Sequence, residues 1–192
     1  MEASLQKTTS ILLDLGSILF LIAAFLPYSR VFIESDPEKK LSIINSMPNL
    51  WNVGHVLFGS GAMLTAVALG LFSYGNRDLP GTTWAFAGVA LILTGAVLWN
   101  WHVAERIIHP ESFARGTHTP YLFLIYSIFT QIGLVFMGIL LLNTVLPNWA
   151  GWMFISGGAV LFLLMLLFRD MPPFVYYMIM IVVSVVMHLN VK

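Results

Sequence analysis

The chain has 192 residues, of which 9% are charged and 58% are hydrophobic, and it contains no cysteine. Soluble domains usually carry about 25% charged residues, so this composition excludes an ordinary soluble enzyme and a disordered chain. Nine basic and nine acidic residues balance each other, which leaves no basic surface for a nucleic acid. A mean hydropathy of +0.86 indicates a multipass integral membrane protein, with residues 1–192 forming one domain.

Apolar runs of about 20 residues, the length of a membrane helix, recur along the whole chain. They predict an all-α bundle with six transmembrane helices at residues 11–32, 51–72, 83–109, 121–142, 149–168 and 173–189. Proline and polar residues separate these runs, as at Pro110 after the third run and Pro147 before the fifth. No small-x-small cleavage motif follows the first run before Pro27, so we expect a retained span rather than a signal peptide.

The first loop, residues 33–50, is predicted to contain a short helix that lies in the membrane interface. The segment Ser35-Asp36-Pro37-Glu38 is typical of a capping box at the start of a helix. Leu41, Ile44 and Met47 then recur at helical spacing. Such a pattern favours an amphipathic helix at a membrane surface.

The basic residues indicate an orientation. We call the side of the membrane that carries residues 33–50, 110–119 and 169–172 face B, and the opposite side face A. Six of the nine lysine and arginine residues lie at or near face B. Because these residues are enriched in cytoplasmic loops, loops 33–50 and 110–119 are predicted to be cytoplasmic, with both termini outside.

Two pairs of segments align within the chain. Residues 10–16 align with residues 127–133, and residues 54–62 align with residues 151–159. Three helices per unit would invert the second copy in the membrane, which is an arrangement found in transporters. A 3+3 inverted repeat is therefore one interpretation, and chance similarity between glycine-rich apolar helices is the other.

Three polar side chains inside the predicted spans need an explanation, because a central charge costs about 2.5–3.5 kcal/mol in a bilayer. Asp14 lies one turn inside face A, where it can reach the interface or cap a neighbouring helix. Gln131 lies deeper and is expected to make an interhelical hydrogen bond rather than to bind a substrate. Asn100 lies in the third span, at the level of the histidines described next.

Four of the five histidines lie at or near face B: His55, His102, His109 and His118. The remaining one, His188, is expected to be an interfacial residue near face A. In the second and third spans, His55 and His102 lie within about one turn of the same depth. The sequence leaves three interpretations of this arrangement open.

The first interpretation is an interfacial belt of tryptophan and histidine, with Glu105 paired to Arg106 or Arg115. The second is a b-type haem with His55 and His102 as axial ligands. The third is a divalent metal site, which would permit metal-assisted hydrolysis or oxidation of a lipid-like substrate. Its ligands would come from His55, His102, Glu105, His109 and His118.

The segment Leu146-Pro-Asn-Trp-Ala-Gly-Trp152, followed by a glycine-rich span and Pro172-Pro173, resembles small six-helix bacterial membrane proteins of unknown function. The resemblance covers mainly the fourth to sixth spans. It implies a bacterial or archaeal cytoplasmic membrane, and it brings no activity.

Small size, sparse loops and the lack of a specific catalytic motif predict a subunit or accessory factor of a larger membrane complex. The alternative is a haem- or metal-binding redox protein or hydrolase that uses the histidines near face B, and a small transporter is the third hypothesis. The expected partners are membrane lipids and other membrane subunits or a second copy of the chain, but no nucleic acid. The sequence assigns no catalytic residue and leaves open whether the protein is an enzyme.

Overall fold

The computed structural model describes residues 3–117, 119–168 and 173–190, and these residues form helices and connecting loops without a strand. The helices in chain order are α1 Ala3–Phe25, a 3₁₀ helix Pro27–Phe32, α2 Pro37–Ser46, α3 Pro48–Gly75, α4 Thr82–Ile108, α5 Pro110–Ala114, α6 Pro120–Leu141, α7 Asn148–Phe168 and α8 Phe174–Leu189. The all-α prediction is therefore confirmed for the part of the chain that the structure describes.

Five helices, namely α1, α3, α4, α6 and α7, are long and apolar enough to cross a membrane. They lie on the first five predicted spans, as expected for a multipass membrane protein. Helix α8 lies on the sixth, residues 173–189, but has only 16 residues, fewer than the roughly 20 that a membrane helix needs. Among the described residues, the structure thus provides five helices of spanning length where the sequence predicts six.

The first predicted span, residues 11–32, joins two separate elements. Helix α1 ends at Phe25, and Leu26 has an extended backbone before the 3₁₀ helix that Pro27 begins. A residue before proline disfavours the helical conformation, which explains the break. At its other end α1 reaches back to Ala3, because polar side chains of this turn, such as Gln6, are buried against α8.

The short helix predicted in the first loop is present as α2, but its cap lies one residue later than the capping box suggests. Asp36 is the N-cap, and its carboxylate accepts hydrogen bonds from the backbone N–H groups of Glu38 and Lys39. Pro37 then occupies the first helical position, where a missing N–H group costs nothing. Proline thus sets the start of the helix and excludes Ser35 from the cap.

The long helices form a ring in which sequence neighbours pack side by side. Helix α3 packs against α1 and α4, and α6 packs against α4 and α7, while α8 lies mainly against α1 and only sparsely against α7. In an exact 3+3 repeat, the contact between α7 and α8 would match the extensive one between α3 and α4. The packing does not show this equivalence, so the inverted repeat stays a prediction.

Helices α2 and α5 and the 3₁₀ helix cover the end of the ring at face B. Helix α2 contacts both of the other elements. Val31, Ile44 and Phe113 from this layer are buried in the same core as the long helices. These three short helices therefore close the bundle at face B, above the level of His55 and His102.

Candidate functional site

His55 lies in the second turn of α3 and is fully buried. Its Nδ1 atom is 2.8 Å from the backbone oxygen of Trp51, one turn earlier. A carbonyl oxygen can only accept, so Nδ1 donates and Nε2 keeps its lone pair. Nε2 has no hydrogen-bond partner among the described residues. This is the tautomer and orientation in which a histidine binds a metal or accepts a proton from a ligand.

Aromatic rings surround the His55 imidazole. The ring centroids of Trp51, Tyr28 and Phe58 lie 4.0, 5.8 and 6.0 Å from it. Tyr28, which belongs to the 3₁₀ helix, fits there because position 54 is glycine, and a Cβ atom on Gly54 would overlap the phenol ring. The Tyr28 hydroxyl donates to the backbone oxygen of Ala23. Burial raises the pKa of this phenol, with Arg106 opposing the shift, so the hydroxyl remains a donor.

His102 on α4 is also fully buried, and Trp99 and Phe123 are its ring neighbours at 5.7 and 6.3 Å. Trp99 in turn lies 5.8 Å from Phe58. The ring contacts that lead from His55 to His102 therefore pass through Phe58 and Trp99. A haem bound by both histidines requires these two aromatic side chains to move aside.

Arg106 is a buried cation among these rings. Its guanidinium carbon lies 4.7 Å from the Phe113 ring centroid and 5.3 Å from that of Phe32. Trp99 contributes a third ring at 5.7 Å, and such contacts stabilise a guanidinium away from water. The indole nitrogen of Trp51 donates to the Arg106 backbone oxygen at 3.2 Å. This contact ties the start of α3 to the end of α4.

We call this arrangement the face-B cluster and define it as the residues with a buried ring or cation at this end of the bundle: Tyr28, Trp51, His55, Phe58, Trp99, His102, Arg106 and Phe113. Together they place the His55 imidazole, whose Nε2 atom is buried without a hydrogen-bond partner among the described residues, in the same cluster as the buried Arg106 guanidinium.

The other members of the predicted metal-ligand set do not join the buried histidines. Glu105 accepts a hydrogen bond from the indole nitrogen of Trp101 at 3.1 Å, instead of pairing with Arg106 or Arg115, and His109 is exposed. Within residues 3–117, 119–168 and 173–190, no three His, Asp or Glu side chains are grouped so that they could hold a metal ion. His118 lies outside the described residues, so the metal site stays a prediction.

A second polar cluster lies inside the ring, between α6 and α8. The hydroxyl groups of Tyr126 and Tyr177 are 2.8 Å apart, and Gln131 donates to the Tyr176 hydroxyl at 2.7 Å. The sequence pointed to Gln131 but not to these tyrosines. A tyrosine within an apolar span does indicate a hydrogen bond inside the bundle, because a buried hydroxyl group needs a partner.

Asn100, the third polar residue inside the spans, donates to the backbone oxygens of Gly59 and Ala96. The first of these bonds crosses from α4 to α3, and a Cβ atom at Gly59 would collide with the Asn100 side chain. The amide therefore joins two neighbouring helices through a backbone group, just inside the level of the face-B cluster.

At face A, the opposite end of the bundle, Asp14 and His188 form an ion pair. The sequence had predicted a separate role for each of these two residues. The distance from His188 Nε2 to the Asp14 carboxylate is 2.8 Å, and both side chains are partly exposed. His188 Nδ1 lies 3.2 Å from the Ser10 hydroxyl, which itself donates to the Lys7 backbone oxygen. These contacts of the imidazole link α8 to α1.

Compared with protein-family models, curated proteins and solved structures, the chain matches none of them.

Proposed function

We propose that the protein is a small six-span integral membrane protein that acts as a subunit or accessory factor of a larger membrane complex. The sixth span is α8. It runs antiparallel to α1 along most of the length of that helix, from the ring contact between Phe174 and Phe25 to the hydrogen bond that Gln6 donates to Met187. A helix of 16 residues is about 24 Å long, and a slightly thinned bilayer accommodates it.

The observation that carries the complex role is the outward face of α4. Four small residues, Thr83, Ala87, Ala90 and Thr94, recur along it at heptad spacing, and all are exposed. The Thr94 hydroxyl donates a hydrogen bond to the Ala90 backbone oxygen. Small residues at this spacing let a second membrane helix approach closely.

Two comparisons within the chain support this interpretation. On the inner side of α4, Gly88 packs directly against the backbone oxygen of Gly133 on α6, so small residues on this helix serve close packing. Helix α7 instead turns bulky side chains outward, and Leu163, Leu166 and Leu167 are 58, 56 and 74% exposed. The outward face of α7 is thus typical of lipid contact, whereas α4 carries its stripe of small residues beside exposed bulky side chains such as Phe86 and Val97.

Photo-cross-linking in native membranes tests the proposal. A photoreactive side chain placed at Ala87 is expected to yield one discrete protein adduct, and the additional change Ala90→Phe is expected to abolish it by filling the groove. The same probe at Leu163 on α7 serves as the control and should give no protein adduct. Equal adducts from both positions, or an Ala87 adduct that persists with Ala90→Phe, would contradict the proposal.

A second candidate, a haem- or metal-binding redox protein, is favoured by one observation, the inward Nε2 lone pair of His55. His55 would bind the iron with His102 as the second axial ligand, and the haem would supply one-electron chemistry. The buried Arg106 guanidinium would stabilise the haem propionates.

A reduced-minus-oxidised absorption spectrum of the gently purified protein decides this candidate. If the protein binds haem in this way, the spectrum should show a sharp α-band. His55→Leu should remove this band, whereas His188→Leu, at the other end of the bundle, should leave it in place. A featureless spectrum from the unaltered protein excludes the haem, and a band that survives His55→Leu excludes His55 as its ligand.

A further inference from the structure

A pocket at face B, outside the face-B cluster, combines basic side chains with apolar surface. It has a volume of about 480 Å³ and lies between the 3₁₀ helix and α2. Its lining residues are Arg30, Ile33, Glu34, Lys39, Ser42 and Ile43. Two cations, a hydroxyl group and two isoleucine side chains therefore open onto one space.

The charges in this pocket favour an anion. Within the described residues, neither Arg30 nor Lys39 forms an ion pair, so both cations are available. The one carboxylate in the pocket belongs to Glu34. One of its oxygens accepts hydrogen bonds from the backbone N–H groups of Ser35 and Asp36, with N···O distances of 2.9 and 3.0 Å. Two positive groups and one negative group leave a single net positive charge, which matches one phosphodiester.

The apolar neighbours identify the source of that phosphodiester. Ile33 and Ile43 line the pocket, and Ile33 is 88% exposed. Large apolar side chains exposed beside basic groups, just beyond the end of a membrane helix, are typical of the boundary between headgroups and acyl chains. An anion dissolved in water would gain nothing from Ile33, whereas a phospholipid would cover this side chain with its acyl chains.

We propose that this pocket binds the phosphate of an anionic membrane phospholipid. Arg30 and Lys39 hold the phosphate oxygens, and the Ser42 hydroxyl donates a hydrogen bond to it. Ile33 lies against the acyl chains. The site goes beyond the proposed role as a complex subunit and depends only on α1 and α3 crossing the membrane. It makes α2 a headgroup-binding helix rather than a passive cover.

Lipid titration of the purified protein in a neutral detergent tests the site, with phosphatidylglycerol as the probe. The apparent affinity is measured from the rise in the thermal unfolding midpoint, and native mass spectrometry counts the bound lipid. Arg30→Gln and Lys39→Gln are each expected to weaken binding about fivefold, the effect of losing one basic contact at an anionic surface. Glu34→Gln keeps an oxygen for Ser35 and Asp36 and removes the negative charge, so it should strengthen binding.

Controls distinguish lipid binding at this site from general electrostatic attraction to the protein and from the binding of free anions. Arg77→Gln removes an exposed charge at face A and should leave the affinity unchanged, and phosphatidylcholine should bind more weakly than phosphatidylglycerol. Inorganic phosphate should not reproduce the shift of the unfolding midpoint. The proposal is overturned if Arg30→Gln and Lys39→Gln behave like Arg77→Gln. It is also overturned if inorganic phosphate stabilises the protein as well as the lipid does, or if Glu34→Gln weakens binding.

Discussion

Replacing Trp99 with alanine is expected to lower the free energy of unfolding by about 3 kcal/mol, at the lower end of the range for Trp→Ala in protein cores. Trp99 is almost fully buried, and its ring joins the face-B cluster to the centre of the bundle. Its ring centroid lies 4.8 Å from that of Tyr126 and 5.7 Å from that of Phe20. The loss arises mainly from lost dispersion contacts, because lipid is itself apolar and reduces the transfer contribution.

The same helix provides the control for this change. Trp101, two residues further on, is 60% exposed and turns away from the bundle toward Glu105. Trp101→Ala should change the free energy of unfolding by less than about 0.5 kcal/mol, and Trp99→Phe should retain part of the packing. Denaturant titration in mixed micelles measures all three variants. Equal losses for Trp99→Ala and Trp101→Ala would contradict the inward orientation of Trp99.

The second large effect is expected at the contact between α1 and α3. A Cβ atom at Gly61 would lie 2.6 Å from the backbone oxygen of Gly16 and 2.9 Å from the backbone nitrogen of Phe20. Backbone atoms cannot rotate away, so Gly61→Ala must push the two helices apart. We expect this change to destabilise the protein by about 1–3 kcal/mol, as overpacking does.

Gly70 on the same helix is the matched control for Gly61. A Cβ atom there would meet only a Val89 methyl group, at an ordinary contact distance of 3.6 Å. Gly70→Ala is therefore expected to be neutral, or to stabilise α3 by up to about 1 kcal/mol through its higher helix propensity. Thermal unfolding in detergent compares the two variants. A Gly61→Ala variant as stable as Gly70→Ala would show that α1 and α3 do not pack as closely as described.

The spans could be predicted because membrane helices need long apolar runs, and such runs are visible in sequence. Two boundaries differ from the prediction because of proline: Pro27 divides the first predicted span, and Pro37 moves the cap of α2 to Asp36. In both cases the propensity of a single residue overrode the pattern around it.

The side chains that meet inside the bundle could not be predicted in the same way. Inner and outer faces of a membrane helix are both apolar, so hydrophobic periodicity does not show that Trp99 points inward and Trp101 outward. Asp14 and His188 were each assigned to face A, and their shared depth was the one available clue to their ion pair. Glu105 was predicted to belong to a metal-ligand set with His102 and His109, but its side chain turns to Trp101.

The mass of the particle released from native membranes without detergent tests the proposed complex most directly. The chain alone has a mass of 21.4 kDa. Native mass spectrometry is expected to find it in a defined assembly heavier than this, which Ala90→Phe on α4 dissociates and Leu163→Phe on α7 leaves intact. Release of the unaltered protein as a single 21.4 kDa chain with bound lipid would contradict a role as a complex subunit.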